Sequence, residues 1–433
     1  MGSIATASVD AVKPPGMPVS EHPAYRYFVL ALFTLTLMFS VADRLVLSIL
    51  LQDIKAEFAL SDSQLGLLAG FAFTLFYVVA GFPMARLADR ANRKTIVAAA
   101  LGFWSLMTAI SGLATGFWSL FLARIGVGMG EGGSGPSSQS LLADYFRPGE
   151  LPRAMGFLTL GSTIGTAFGL MAGGLFASLY GWRMSFILLG LPGMLLALIL
   201  YLTVREPQRG RYAQGGTQSA AQKPVGETIR SLLGNHVYLG LITGYAVQIM
   251  IGYAIAIWMA PIMLRTFDLP TRDVGFYLGL AFVLGGIPGP ILGGIASEWL
   301  ARRDIRWFAW VPGLAGILCL PPLWASLSAT AFWPFLGLFA LAYALFLTGQ
   351  APILSSIQNN VLPSERGFAV AFALLFNNLI GQAFSAAAIG RLSDHWTQDF
   401  GEHALNLAVM SVCVFAGLVG FAVFIWTARQ MKR

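Results

Sequence analysis

Charge is scarce in this chain. Only 11% of its 433 residues are Asp, Glu, Lys or Arg, while 56% are hydrophobic. A soluble domain carries about 25% charged residues, so a soluble enzyme built around one large core is excluded. Cysteine is almost missing. Cys319 and Cys413 both lie in apolar runs and offer neither a metal-ligand spacing nor a disulfide framework. The four histidines, His22, His236, His395 and His403, fall near the chain start or between apolar runs. None accompanies a nucleophile inside a run, so hydrolytic and metal chemistry are not expected, and neither is a cofactor. A glycine cluster at Gly132, Gly133, Gly135 and Pro136 lacks the Gly-Lys-Ser/Thr ending of a phosphate loop. It is read instead as a place where a helix bends or approaches a neighbour closely.

What the chain has in abundance is long apolar runs. About 20 such residues cross a bilayer core, and twelve segments qualify. They are 25–51, 63–86, 95–115, 117–143, 153–179, 183–204, 236–264, 273–299, 306–327, 332–360, 367–392 and 403–428. The polar, Pro-rich residues 1–24 are expected to be disordered, and the polar stretch 205–235 to be a flexible linker. The expected architecture is an all-α membrane protein of twelve transmembrane helices, in one six-helix bundle over 25–204 and a second over 236–433. Twenty lysines and arginines fall on one side of this arrangement and five on the other. By the positive-inside rule both termini are cytoplasmic. The same rule accounts for the net charge of +7, so no nucleic-acid partner is expected.

Four charges interrupt these runs: Asp43 and Arg44 in the first, Arg124 and Glu131 in the fourth. A charge at the bilayer centre costs roughly 2.5–3.5 kcal/mol on insertion scales, and such groups mark transport paths. With a 1.5 Å rise per residue, Asp43 lies about 7 Å and Arg124 about 9 Å from the midplane on the same side, and Glu131 close to it. Asp43 and Arg124 are therefore expected to pair across helices. Glu131 shares a face with Arg124 two turns away, and Arg44 points about 100° away from Asp43. A carboxylate that gains and loses an arginine, or water, changes its proton affinity. Asp43 is the first candidate for proton coupling and Glu131 the second. The alternative is a structural ion pair that locks the two helices.

No deep charge occurs in the second bundle. Its seventh run carries Tyr245, Gln248, Tyr253 and Trp258, and its eleventh Phe372, Phe376, Asn377, Asn378 and Gln382. A cavity between the bundles then has one charged and one aromatic wall, which suits an amphiphile. Arg44, Arg124, Tyr253, Trp258, Phe376 and Asn377 are the candidate substrate contacts.

The halves also repeat. The string from Ala85 to Lys94 after the second run is echoed from Gly294 to Arg303 after the eighth, each with an acid before a basic pair. Asp89 is expected to meet the N-terminus of the eleventh helix near Gly367, where the helix dipole favours an acid. Arg90, Arg93, Lys94 and Arg153 complete the candidate gate, with Arg93 and Lys94 directed at lipid phosphates or at acids of the opposite half.

These residues resemble the major facilitator superfamily over essentially the whole chain. The Ala85–Lys94 string is similar to its signature loop, with Ala85 in place of the usual glycine. Arg124 with Gly126, Gly128 and Gly130 resembles the Arg–Gly motif of its fourth helix. Gly161, Gly165, Gly169, Gly173 and Gly174 resemble its glycine-rich fifth helix, although the Gly-Pro pair of drug antiporters is missing. Asp43-Arg44, the string Asp89–Lys94 and the string Arg124–Glu131 further resemble the Spinster family. That resemblance implies a monomeric transporter of a bacterial inner membrane, which moves a sphingolipid- or lysophospholipid-like amphiphile with protons by alternating access. Two other readings stand beside it: a proton-coupled transporter of small organic anions, and a lipid sensor or scramblase-like pathway.

Overall fold

Among the described residues the apolar runs fold into twelve long helices. The computed structural model describes residues 22–212, 225–362 and 365–431, without the side chains of Phe82, Ala85, Ala88, Asp89 and Val225. Most of the segment expected to be disordered, up to residue 21, lies outside the described residues. In the first half the helices are α1 (Pro23–Phe58), α2 (62–90), α3 (Arg93–Ser111), α4 (117–145), α5 (Leu151–Tyr180) and α6 (Trp182–Thr203). In the second half they are α7 (His236–Thr266), α8 (Thr271–Ala301), α9 (Trp307–Leu327), α10 (Phe332–Asn359), α11 (366–400) and α12 (Ala404–Gln430). Among the described residues there is no strand.

Local chemistry sets the ends. Pro23 starts α1, where its missing N–H costs nothing. The helix runs past the expected boundary at residue 51, because no breaker occurs before Ala59, which ends it in the left-handed region at φ 50°. Ser61 and Gln64 form a capping box at the start of α2. Asn92 and Asn235 cap α3 and α7 by accepting backbone N–H groups three residues on. Near the chain start, Arg26 donates to Glu150 in the α4–α5 turn at 2.8 Å and holds that carboxyl below its usual range.

Two features position the site. α5 packs along α1 because Gly165 and Gly169 have no Cβ; a methyl there would lie 2.4 Å from the Met38 carbonyl oxygen and 2.6 Å from that of Ala42. Small residues at such seams let membrane helices approach closely. The second feature is a break in α4, which stops at Glu131 and resumes at Ser134. α10 also breaks near its middle, between Leu347 and Gln350. π-helical turns interrupt α2 at Leu67–Phe71 and α11 at Asn378–Phe384.

The halves meet through α1 with α7, α2 with α11, and α5 with α8. The hydrogen bonds described across this seam lie towards the end remote from the termini. One is Ser48 Oγ donating to the Ala256 and Ile257 carbonyls. The linker departs from expectation. Val225–Leu233 is a helix whose buried Leu232 joins Tyr238, Ala369 and Ala373 in an apolar cluster of the second half. Ser231 there donates to Glu365 at 3.3 Å.

Candidate functional site

The four intramembrane charges converge in the first half, with partners that differ from those expected. Glu131 is the last residue before the α4 break, and its side chain is fully buried. Its Oε2 accepts from Arg44 Nη2 at 2.6 Å, Arg44 Nε at 3.0 Å and Ser40 Oγ at 2.7 Å. Its Oε1 has no hydrogen-bond partner. Glu131, expected on one face with Arg124, thus links α4 to α1 through Arg44 and Ser40.

Asp43 does not pair with Arg124 through its carboxylate. Its Oδ2 accepts from Thr108 Oγ1 of α3 at 3.0 Å, and its Oδ1 has no partner. Arg124 Nη1 donates instead to the Asp43 backbone oxygen at 3.4 Å. Asp43 and Arg124 do meet at one level, but level does not fix direction around the helix axis. Asp43 faces α3, while Arg44, about 100° further round, faces α4 and α2. All four groups remain close enough to act on one another electrostatically.

The two arginines occupy different surroundings. Arg124 is 1% exposed. The Arg44 side chain keeps 21% of its surface open and lies over two rings of α2, 4.5 Å from the Phe73 centroid and 5.2 Å from that of Tyr77. Such cation–π contacts hold a guanidinium without neutralising it. Ser40, Thr108, Phe73 and Tyr77 belong to the site, and sequence reasoning missed them. Ser40 sits one turn before Arg44, and Phe73 and Tyr77 are four apart, but serines and aromatics at that spacing recur along every span.

Across the seam, Tyr253 of α7 donates to Asn378 Oδ1 of α11 at 2.7 Å, and its hydroxyl lies within electrostatic range of Arg44, Glu131 and Tyr77. Asn377 is 4% exposed, and neither of its amide atoms has a partner. Phe376 is half-buried. Trp258 is wholly buried in the closed seam.

The signature loop is arranged differently from expectation. Arg93 is buried and bridges Asp144 at 2.6 Å and Glu206 at 2.7 Å. Lys94 donates to the Tyr201 carbonyl at 3.2 Å. These partners lie on the first half and the chain just after it, and are not acids of the opposite half. The reason is local supply: the end of α4 brings Asp144 and the Ser140 carbonyl to the start of α3, and the end of α6 and the chain after it bring the Tyr201 carbonyl and Glu206. Arg90 and Arg153 are exposed. The Asp89 side chain lies outside the described part.

A further cluster, unforeseen in the sequence, ties the halves together at the end remote from the termini. Asp62 at the start of α2 accepts from Arg265 of α7 at 2.6 and 2.9 Å, from Lys55 of α1 at 2.6 Å and from Ser393 of α11 at 2.7 Å. These residues lie at span ends, where charge is ordinary, so nothing in the sequence marked them.

A family model described as the Major Facilitator Superfamily matches residues 32–386. The chain is 30% identical over 394 residues to an MFS-type efflux pump of Mycolicibacterium smegmatis, with 90% of each protein covered. It is 26% identical over 442 residues to protein spinster homolog 1 of Xenopus tropicalis, covering 95% of this chain and 82% of that protein. Among solved structures it superposes with a TM-score of 0.86 on a bacterial homolog of the human lysosomal transporter Spinster in an inward-facing, unoccupied conformation. The identity there is 26%, over 94% of this chain and 98% of the other.

Proposed function

The chain belongs to the major facilitator superfamily as a transporter of Spinster type, and from that premise we propose that it moves an amphiphile with an anionic head, driven by protons. The single observation that carries this reading is the Arg44–Glu131 contact. One buried carboxylate has three donors on one oxygen and none on the other, and its cation is partly exposed and within electrostatic range of Tyr253 on the opposite wall.

The chemistry follows from competition. An anionic head that engages Arg44 takes the guanidinium from Glu131. A carboxylate left in an apolar site without its cation binds a proton. Substrate anion and proton therefore load together, and release of one favours release of the other. Asp43, with one oxygen on Thr108 and one free, is the second proton acceptor. Because these groups act on each other, the site titrates as a unit. Tyr253, Phe376 and Asn377 supply the aromatic and amide wall for the rest of the molecule, and Trp258 joins it once the seam parts.

The same reading places the termini on the cytoplasmic side of a bacterial inner membrane, as the distribution of lysines and arginines favours. The described seam is then the periplasmic one, and the conformation is inward-facing. The protein acts as a monomer.

Uptake into proteoliposomes tests the proposal. A lysophospholipid, a sphingoid base phosphate and a sugar acid are compared with and without an imposed pH gradient. Gradient-driven uptake of the two amphiphiles above the sugar acid is expected. Preferential uptake of the sugar acid favours a small-anion transporter, in which Arg44 keeps its role and the apolar wall does not. Unsaturable flux that ignores the gradient points to a scramblase-like pathway.

A further inference from the structure

At the end remote from the termini, the contact between halves converges on the N-terminus of α2. Asp394 of α11 accepts from the backbone N–H groups of Asp62 and Ser63 at 2.8 Å each, and from Ser63 Oγ at 2.5 Å. These N–H groups belong to the first turn of α2, which has no partner for them within its own helix. The positive end of the helix dipole also favours an acid there. An acid of one half thus caps a helix of the other. Asp62 then adds Arg265, Lys55 and Ser393 on its own carboxylate. The backbones below are equally close, since a methyl on Gly66 would lie 2.3 Å from the Ala386 oxygen.

We infer that Asp394 and Arg265 are gating residues of the transport cycle, which hold the halves together at this end by capping α2 and neutralising Asp62. The inference rests on the alternating-access reading. When the halves part here, the Asp62 and Ser63 N–H groups lose the Asp394 carboxylate, and Asp62 keeps Lys55 of its own half while it loses Arg265 and Ser393. The cluster is thus made in one state and half-dismantled in the other, and it sets the ratio of the two. Intrahelical capping by Ser61, which stays with α2 throughout, does not contribute to that ratio.

The test uses the full chain, with Cys319 and Cys413 replaced and spin labels placed on the α1–α2 and α11–α12 turns. Double electron–electron resonance then reads the separation of the halves at this end. Asp394→Asn and Arg265→Gln are expected to move the population towards the longer distance by about tenfold or more, the loss of a charge-assisted bond. Arg265→Lys, which keeps the charge without the fork, is expected to fall between wild type and Arg265→Gln. Ser63→Ala and Ser393→Ala remove one neutral donor each, and serve as milder shifts that do not threaten folding. Distance distributions identical to wild type in all five variants would overturn the inference. If wild type never shows a second distance, even with saturating lysophospholipid, the alternating-access reading itself fails. If it does show one and the variants do not change it, only the gate assignment fails.

Discussion

At the scale of single residues, the four charges inside the apolar runs were legible in the sequence, and their pairing was not. Helical rise sets Asp43 and Arg124 at one level, and they do meet there, through the Asp43 backbone oxygen. It does not give azimuth: Asp43, expected to pair with Arg124, bonds Thr108, and Arg44, expected only to point away from Asp43, is the cation that holds Glu131. This changes which arginine is expected to read the substrate. Arg44 is part-exposed and Arg124 is not. Arg44→Gln should weaken binding of an anionic lysolipid by roughly 10- to 150-fold, the worth of a hydrogen bond to a charged group, and spare a neutral analogue, as isothermal titration would show. Arg124→Gln should lower the melting temperature in detergent and weaken both ligands alike. Discrimination lost in Arg124→Gln and retained in Arg44→Gln would reverse the assignment.

At the scale of elements, the twelve spans were readable because run length and polar gaps are coarse signals. Interruptions inside them were read less well. The glycines after Glu131 announced the α4 break, but the π turns of α2 and α11 shift the register without a telling composition. The helix Val225–Leu233 was hidden because the linker around it is polar; its buried face rests on few residues. The α5 ladder supports a direct test. Gly165→Ala puts a methyl against the Met38 backbone, and such overpacking costs about 1–3 kcal/mol. Thermal unfolding in detergent should show a clear drop in the melting temperature. An unchanged value would mean that α1 and α5 are not closely packed. Contacts between α2 and α11 also give two variants of opposite sign. Asp394→Asn loosens the end remote from the termini. Asp89→Asn, by the proposed contact with the α11 N-terminus, should loosen the other end and favour the inward-facing state. Resonance distances across both ends measure the pair, and shifts of the same sign in both variants contradict it.

At the scale of the whole molecule, the account joins a charged site in one half to an aromatic wall in the other, with a seam that closes one end at a time. The sequence conveyed this division, since deep charges occur only in the first half and Tyr253, Asn377 and Asn378 only in the second. It did not convey the cluster around Asp62 and Asp394, because charges at span ends look alike whether or not they cross between halves. The central claim is that an acid of the Arg44 site carries the driving proton. The most direct measurement compares pH-gradient-driven lysophospholipid uptake with gradient-free counterflow in the same proteoliposomes, for wild type, Glu131→Gln and Asp43→Asn. The account predicts that driven uptake collapses in Glu131→Gln while counterflow survives, since binding and rocking remain and titration does not. Driven uptake at the wild-type rate and pH dependence in both variants would contradict it.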